Sequence, residues 1–224
     1  MIIDFTPGRL SSSGTKAPKS QGVIFPMQKN PIVVNTFLKR LQDSKTFDEF
    51  YKIWNNYHKS SPNAEFLDPN FIKDKGFYLK ANLPAEAENL EYTLKNFKKK
   101  GFTISPEFVR TINTDSGLSV TLMHLPRCEQ GKMLDFKQNY NLLSQIAKEK
   151  AYKDFRQLND MEIVNLDVML DSGALKITPQ FPHQIVCEDW SSVVPLNEYR
   201  MNYEPQSSSF EVLHKYYNKI FKNK

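Results

Sequence analysis

Glycine is scarce in this chain, with eight in 224 residues and no two within three positions of each other. A loop that cradles phosphates needs clustered glycines whose backbone can close on the ligand, so no such loop is present. Cysteine is scarcer still. Cys128 and Cys187 stand alone, with no Cys-x-x-Cys pair, which excludes a disulfide framework and a cysteine-rich zinc site and fits a reducing compartment. The four histidines, at 58, 124, 183 and 214, are scattered without the i, i+4 spacing that sets two ligands on one helix face, so no metal and no cofactor is assigned. No run of about 18 apolar residues is found, which excludes a conventional membrane helix and a membrane partner. The first residues lack the apolar core of a secretory signal. A cytoplasmic protein is the expectation, with export without a cleaved leader as the alternative.

What the chain does have is aromatic content, 12%, within 40% hydrophobic residues, enough for a sizeable core. Thirty Lys plus Arg against 25 Asp plus Glu give +5, a modest excess carried mostly by lysine. Residues 1–30, rich in Ser, Gly, Pro and Lys, read as a flexible arm, and 31–224 as one α+β domain.

The stretch with the clearest pattern is Phe108 to Pro126. Leu118, Val120 and Leu122 alternate with Ser119 and Thr121, and Asp115-Ser116-Gly117 supplies the reversal: a hairpin with one buried face. Upstream, Val34, Phe37, Leu38 and Leu41 make one helical stripe. Phe47, Phe50, Ile53, Trp54 and Tyr57 make a second behind a Thr46/Glu49 capping box, so 31–59 reads as a helical hairpin. Phe66 to Ile72 reads as a helical turn entered through Asp68-Pro69, and 77–81 as a strand. Residues 84–99 read as a helix with Ala87, Leu90, Leu94 and Phe97 on one face and Gly101 as its cap, and 102–104 as another strand. A long helix is expected over 135–158 with Asp135 as cap. Two strands, 163–170 and 174–178, should meet at a second Asp-Ser-Gly turn, 171–173. A strand at 184–190, an irregular stretch at 191–206 and a helix entered through Ser208 and Glu211 complete the chain. The economical assembly is a mostly antiparallel sheet backed by the two long helices, with the helical hairpin at one edge.

The order hairpin, strand, long helix, two strands resembles the small lobe of protein kinases, with Lys132 or Lys176 in the place of the phosphate lysine. The glycine loop and the His-Arg-Asp and Asp-Phe-Gly segments of those enzymes are absent, and no family is assigned on that likeness.

The expected function is therefore non-catalytic: an interaction or accessory domain whose partner is another protein. Its binding candidates are Trp190, Tyr199, Arg200 and Tyr203, since aromatic and arginine side chains anchor interfaces, and the lysines at the helix end, Lys98, Lys99 and Lys100. The alternative is a hydrolase or transferase whose site gathers distant residues, with His124, His183, Cys187 and Asp189 as candidates. In an extended strand, however, His183 stands more than about 12 Å from Cys187. Adjacent Glu188 and Asp189 would point to opposite faces. Weak nucleic-acid or phosphate-surface binding through the basic helix ends is the third class.

Overall fold

The computed structural model describes residues 30–125, 127–128, 132–170, 174–190, 192–206 and 208–222. The expected arm at 1–30 (apart from Asn30), the second Asp-Ser-Gly turn at 171–173 and Ser191 lie outside them.

The chain is α+β. Helices α1 (Asn30–Gln42), α2 (Phe47–Asn55) and α3 (Tyr57–Ser60) precede three strands, β1 (Glu65–Asp68), β2 (Phe71–Asp74) and β3 (Phe77–Asn82). Helix α4 (Pro84–Lys100) then leads to β4 (Glu107–Asn113) and β5 (Ser119–His124). All five strands join one antiparallel sheet in the order β1-β2-β3-β5-β4. The central hairpin closes as expected: Thr114 and Leu118 bond across the turn, and Gly117 takes a φ of +87°, which glycine adopts without penalty.

The segment 66–72 is a β-hairpin rather than a helical turn. Pro69 holds the residue before it extended, and the Asp68 Oδ1 accepts the Asn70 N–H at 2.6 Å, an Asx turn that reverses the chain. Residues 102–104 are not a strand. Their backbone N–H groups turn to a side chain instead, with Thr103 and Ile104 donating to Asp154 Oδ2 at 2.5 and 3.1 Å.

The helical pair does not sit at an edge. It covers a whole sheet face, with Phe37, Leu38, Leu41, Phe50 and Trp54 packed over Ile72, Leu79, Val120 and Leu122. Both faces of the sheet are thus buried. The opposite face packs Phe71, Tyr78 and Met123 against Leu90, Leu94 and Phe97 of α4 and against the carboxyl-terminal half.

That half departs most from the sequence pattern. The expected helix over 135–158 is broken into β6 (Leu134–Asp135), a 3-10 turn at Tyr140–Leu142 and α5 (Gln145–Asp160). Ser144, not Asp135, caps α5, its hydroxyl accepting the Ala147 N–H at 3.1 Å. The strand expected over 163–170 stops at β7 (Ile163–Asn165) and becomes a short helix, α6 (Leu166–Leu170), because the Asn165 Oδ1 accepts the Val168 N–H at 3.0 Å and starts a helical turn. Strands β8 (Leu175–Ile177) and β9 (Ile185–Cys187) pair with each other and with β6, and β10 (Val193–Pro195) pairs with β7. The stretch expected to be irregular contains α7 (Leu196–Tyr203). Helix α8 (Ser209–Tyr217) follows through the Ser208/Glu211 box.

Candidate functional site

The register of β2 and β3 pairs Phe71 with Lys80 and Lys73 with Tyr78. Alternation then sends Lys73, Tyr78, Lys80 and Asn82 to the face away from the helical pair. There they meet the segment that follows β9. Lys73 Nζ lies 3.2 Å from Glu188 and 3.3 Å from Glu65, and the Tyr78 hydroxyl donates to the same Glu188 oxygen at 3.1 Å. Lys80 Nζ lies 2.9 Å from Asp189 and 3.4 Å from Asp68, and 5.0 Å from the centre of the Phe71 ring. The two lysine side chains are only 6% and 11% exposed, so this is a charged seam closed inside the protein.

Charge and burial compete along it. Burial works to lower the Lys80 ammonium, yet Asp189 and Asp68 together hold it above the ordinary lysine value. Burial, then the neighbouring Glu188, drives the Tyr78 phenol well upward. Burial also opposes ionisation of Glu65, but Lys132 and Lys73 prevail and keep its carboxyl low.

Asn165, at the end of β7, fastens the seam from behind. Its Nδ2 donates to the Asp189 carbonyl at 3.0 Å, and the Cys187 thiol donates to that same carbonyl at 3.1 Å. The Trp190 indole donates to the Cys187 carbonyl at 3.2 Å, and its ring meets Phe97 of α4 edge-on at 4.8 Å. Beside Lys80 and Trp190 opens a cavity of about 420 Å³, walled by Asn70 of the β1–β2 turn, Asn82, and Glu86, Asn89 and Thr93 of α4. Asn82 Nδ2 and, one row along the sheet, Thr121 Oγ1 are buried without a hydrogen-bond partner.

Of the residues nominated from sequence, Cys187, Asp189 and Trp190 come together here. Cys187 is wholly buried, and burial, then Asp167 and Asp189, push its thiol far above the range in which a thiolate forms. Neither nominated histidine is positioned as its base. His183 Nδ1 donates to the Thr178 carbonyl at 2.8 Å, and the His124 ring packs against Phe77 at 5.5 Å. Tyr199 is buried and stacks on Tyr203, which is half exposed, while Arg200 between them is half-buried. Lys98, Lys99 and Lys100 form the exposed last turn of α4, with Lys98 3.4 Å from Glu107.

Lys73, Tyr78, Lys80, Glu65, Asp68 and Asn165 were not singled out from sequence, and Glu188 was weighed only with Asp189 as a carboxylate pair. The available signal was two lysines at inward positions of otherwise apolar strands, answered by an adjacent acidic pair. The strand expected over 184–190 ends at Cys187, so Glu188 and Asp189 lie beyond it, and each takes a different lysine. Among the described residues no cluster of three metal-ligating side chains is found, and no helix is long and apolar enough to cross a membrane. No known family model and no curated protein sequence matches this chain.

Proposed function

We propose that this chain acts by contact with another protein, on a frame laid out like the small lobe and seam of a protein kinase but with the cleft closed by its own side chains. In kinases the phosphate lysine stands on the third strand, the next helix flanks it, and the aspartate of a three-residue segment after a later strand holds the metal. Lys80 on β3, with α4 following, takes that place, not Lys132 or Lys176. Asp189 after β9 is the matching aspartate. Asn165-Leu166-Asp167, at the exit of β7, stands where such enzymes carry His-Arg-Asp, and Asp167 bears on the same Cys187 thiol as Asp189.

The observation that carries the reading is the occupancy of Lys80. The β1–β2 turn, where kinases have their glycine loop, brings Asp68 onto this lysine together with Asp189. A triphosphate would have to displace one carboxylate and face another. Next to it, Tyr78, Glu188 and Lys73 fill the space between sheet and β9. The contact surface is assigned to α7 and the start of α8, where Met201, Tyr203 and Phe210 are 71%, 50% and 76% exposed. Aromatic side chains of this kind bury large area at small entropic cost.

Calorimetric titration with magnesium-ATP, together with mass spectrometry for transferred phosphate, tests the closed cleft. No saturable binding at millimolar nucleotide is expected. In parallel, partner capture should be lost in a Tyr203→Ala/Phe210→Ala variant and kept in Lys80→Met; the reverse dependence overturns the reading.

The cavity of about 420 Å³ favours one other reading, a nucleotide-dependent phosphotransferase using Lys80 and Asp189. The oxygen donors near it, Asp189 and the amide of Asn89, are the hard kind a divalent cation takes, and such a cation would neutralise phosphate charge. Micromolar binding of magnesium-ATP that is lost in Asp189→Asn would establish this reading in place of the first.

A further inference from the structure

Lys73 links the closed seam to a second cavity, about 310 Å³, at the opposite end of β2. Its walls include Pro62, Ala64, Glu65, Lys73, Lys75 and Lys132. Three ammonium groups face it and one carboxylate. Glu65 uses both oxygens, one on Lys132 at 2.9 Å and the other on Lys73 at 3.3 Å. The wall itself carries three lysines and one glutamate; behind it Glu188 pairs with Lys73, and the buried Asp74 carboxylate accepts from Tyr57 and Ser61.

An ammonium carries three protons, and Glu65 and Glu188 take two of those on Lys73. A third is left on a side chain that is 6% exposed and lines this cavity. Lys75, half-buried, also lines the cavity, with a φ of +53°, a left-handed conformation that a side chain other than glycine adopts at a penalty. Lys132 reaches it from the solvent side, its side chain 83% exposed. One buried and two outer lysines around a recess suit a compact anion with several oxygens. The volume exceeds that of a bare phosphate, and Pro62 and Ala64 offer an apolar wall for an attached organic group.

We propose that this cavity binds a small phosphomonoester, its phosphate held by Lys73, Lys75 and Lys132 and its organic part lying on Pro62 and Ala64. The recess, and the burial of Lys73 within it, favour a soluble ligand over a lipid headgroup in a flat bilayer. The site does not depend on the contact reading: magnesium-ATP tests the cavity at Lys80, and the probes below test this one.

The experiment is calorimetric titration of the full chain at low salt with phenyl phosphate, inorganic phosphate and benzyl alcohol. Phenyl phosphate should bind at one site with a submillimolar Kd, inorganic phosphate about tenfold more weakly, and benzyl alcohol not at all. Lys75→Ala and Lys132→Ala, both at the outer rim, should each weaken phenyl phosphate by about fivefold or more without shifting the melting temperature. A Lys39→Ala/Arg40→Ala variant, on the exposed end of α1, should bind as the parent does. No saturable heat, equal affinity in the rim variants, or retention on phosphatidic-acid vesicles without binding of phenyl phosphate would each overturn the proposal.

Discussion

Replacing Lys80 by methionine keeps most of the side-chain volume and removes the charge on which Asp189 and Asp68 converge. Its expected size follows from exposure. Lys80 is 11% exposed, Asp189 27% and Asp68 41%. Exposed ion pairs contribute less than about 1 kcal/mol, and breaking a fully buried one costs about 3–5 kcal/mol. With a lysine nearly enclosed and two partners partly wet, Lys80→Met should destabilise by about 2–3 kcal/mol, chiefly because two carboxylates are left facing each other. Asp189→Asn should cost only about 1 kcal/mol, since Asp68 remains as a partner. The double variant should reveal a coupling of about 1–2 kcal/mol. Urea unfolding of the four proteins, followed by far-ultraviolet circular dichroism, measures all three quantities. The pH dependence has a definite sign. The folded Lys80 ammonium is held above its ordinary value of 10.5, so its contribution is complete below that value and is lost as pH rises through the higher folded one. The coupling should therefore be the same at pH 7 and pH 9. A coupling under about 0.5 kcal/mol, or a larger loss from Asp189→Asn than from Lys80→Met, would refute the view that Lys80 is the centre of the seam.

Two other groups give separate checks. Asp154, 2% exposed, accepts from two backbone N–H groups and the Thr103 hydroxyl, so Asp154→Ala should cost about 3 kcal/mol in the same urea assay and Asp154→Asn distinctly less. Burial outweighs those donors and holds the Asp154 carboxyl above the ordinary aspartate value, so the native protein should lose ground to Asp154→Asn as pH rises through the folded value; a gap that widens in its favour would contradict this. Cys187, buried and held protonated, should react with iodoacetamide at neutral pH only once urea opens the fold. Fast labelling of the native protein would restore the cysteine to consideration as a nucleophile.

What the sequence made legible follows from how local each signal is. The hairpin around Gly117 was readable because its apolar residues alternate over one face and its turn chemistry lies within four residues. The capping pairs Thr46/Glu49 and Ser208/Glu211 were readable for the same reason. The segment 163–170 was misread because Val164 and Val168 satisfy a period of two and an i, i+4 helical spacing alike. Only the Asn165 side chain decides between them. The seam was invisible because Glu188 and Asp189, which close it, lie 115 and 109 residues from Lys73 and Lys80, and a lysine in a strand reads as solvent-facing until its counter-charge is known.

The two faces of the sheet do different work, and the seam is what keeps them apart. Toward the helical pair, Ile72, Leu79, Val120 and Leu122 form an apolar layer, with the buried carboxylate of Asp74 at its margin held by the Tyr57 and Ser61 hydroxyls. A slip of one residue in the β2–β3 register, or a flip of β3, would carry Lys73 or Lys80 into that layer and leave Glu188 and Asp189 buried without cations. The pairing of Lys73 with Tyr78 and of Phe71 with Lys80 is therefore fixed from both sides: by what the helices exclude and by what the segment after β9 requires. The same ion pairs that close the cleft thus also specify the strand register, so removing Glu188 or Asp189 would loosen the sheet at β2 and β3 as well as free the lysine each one holds.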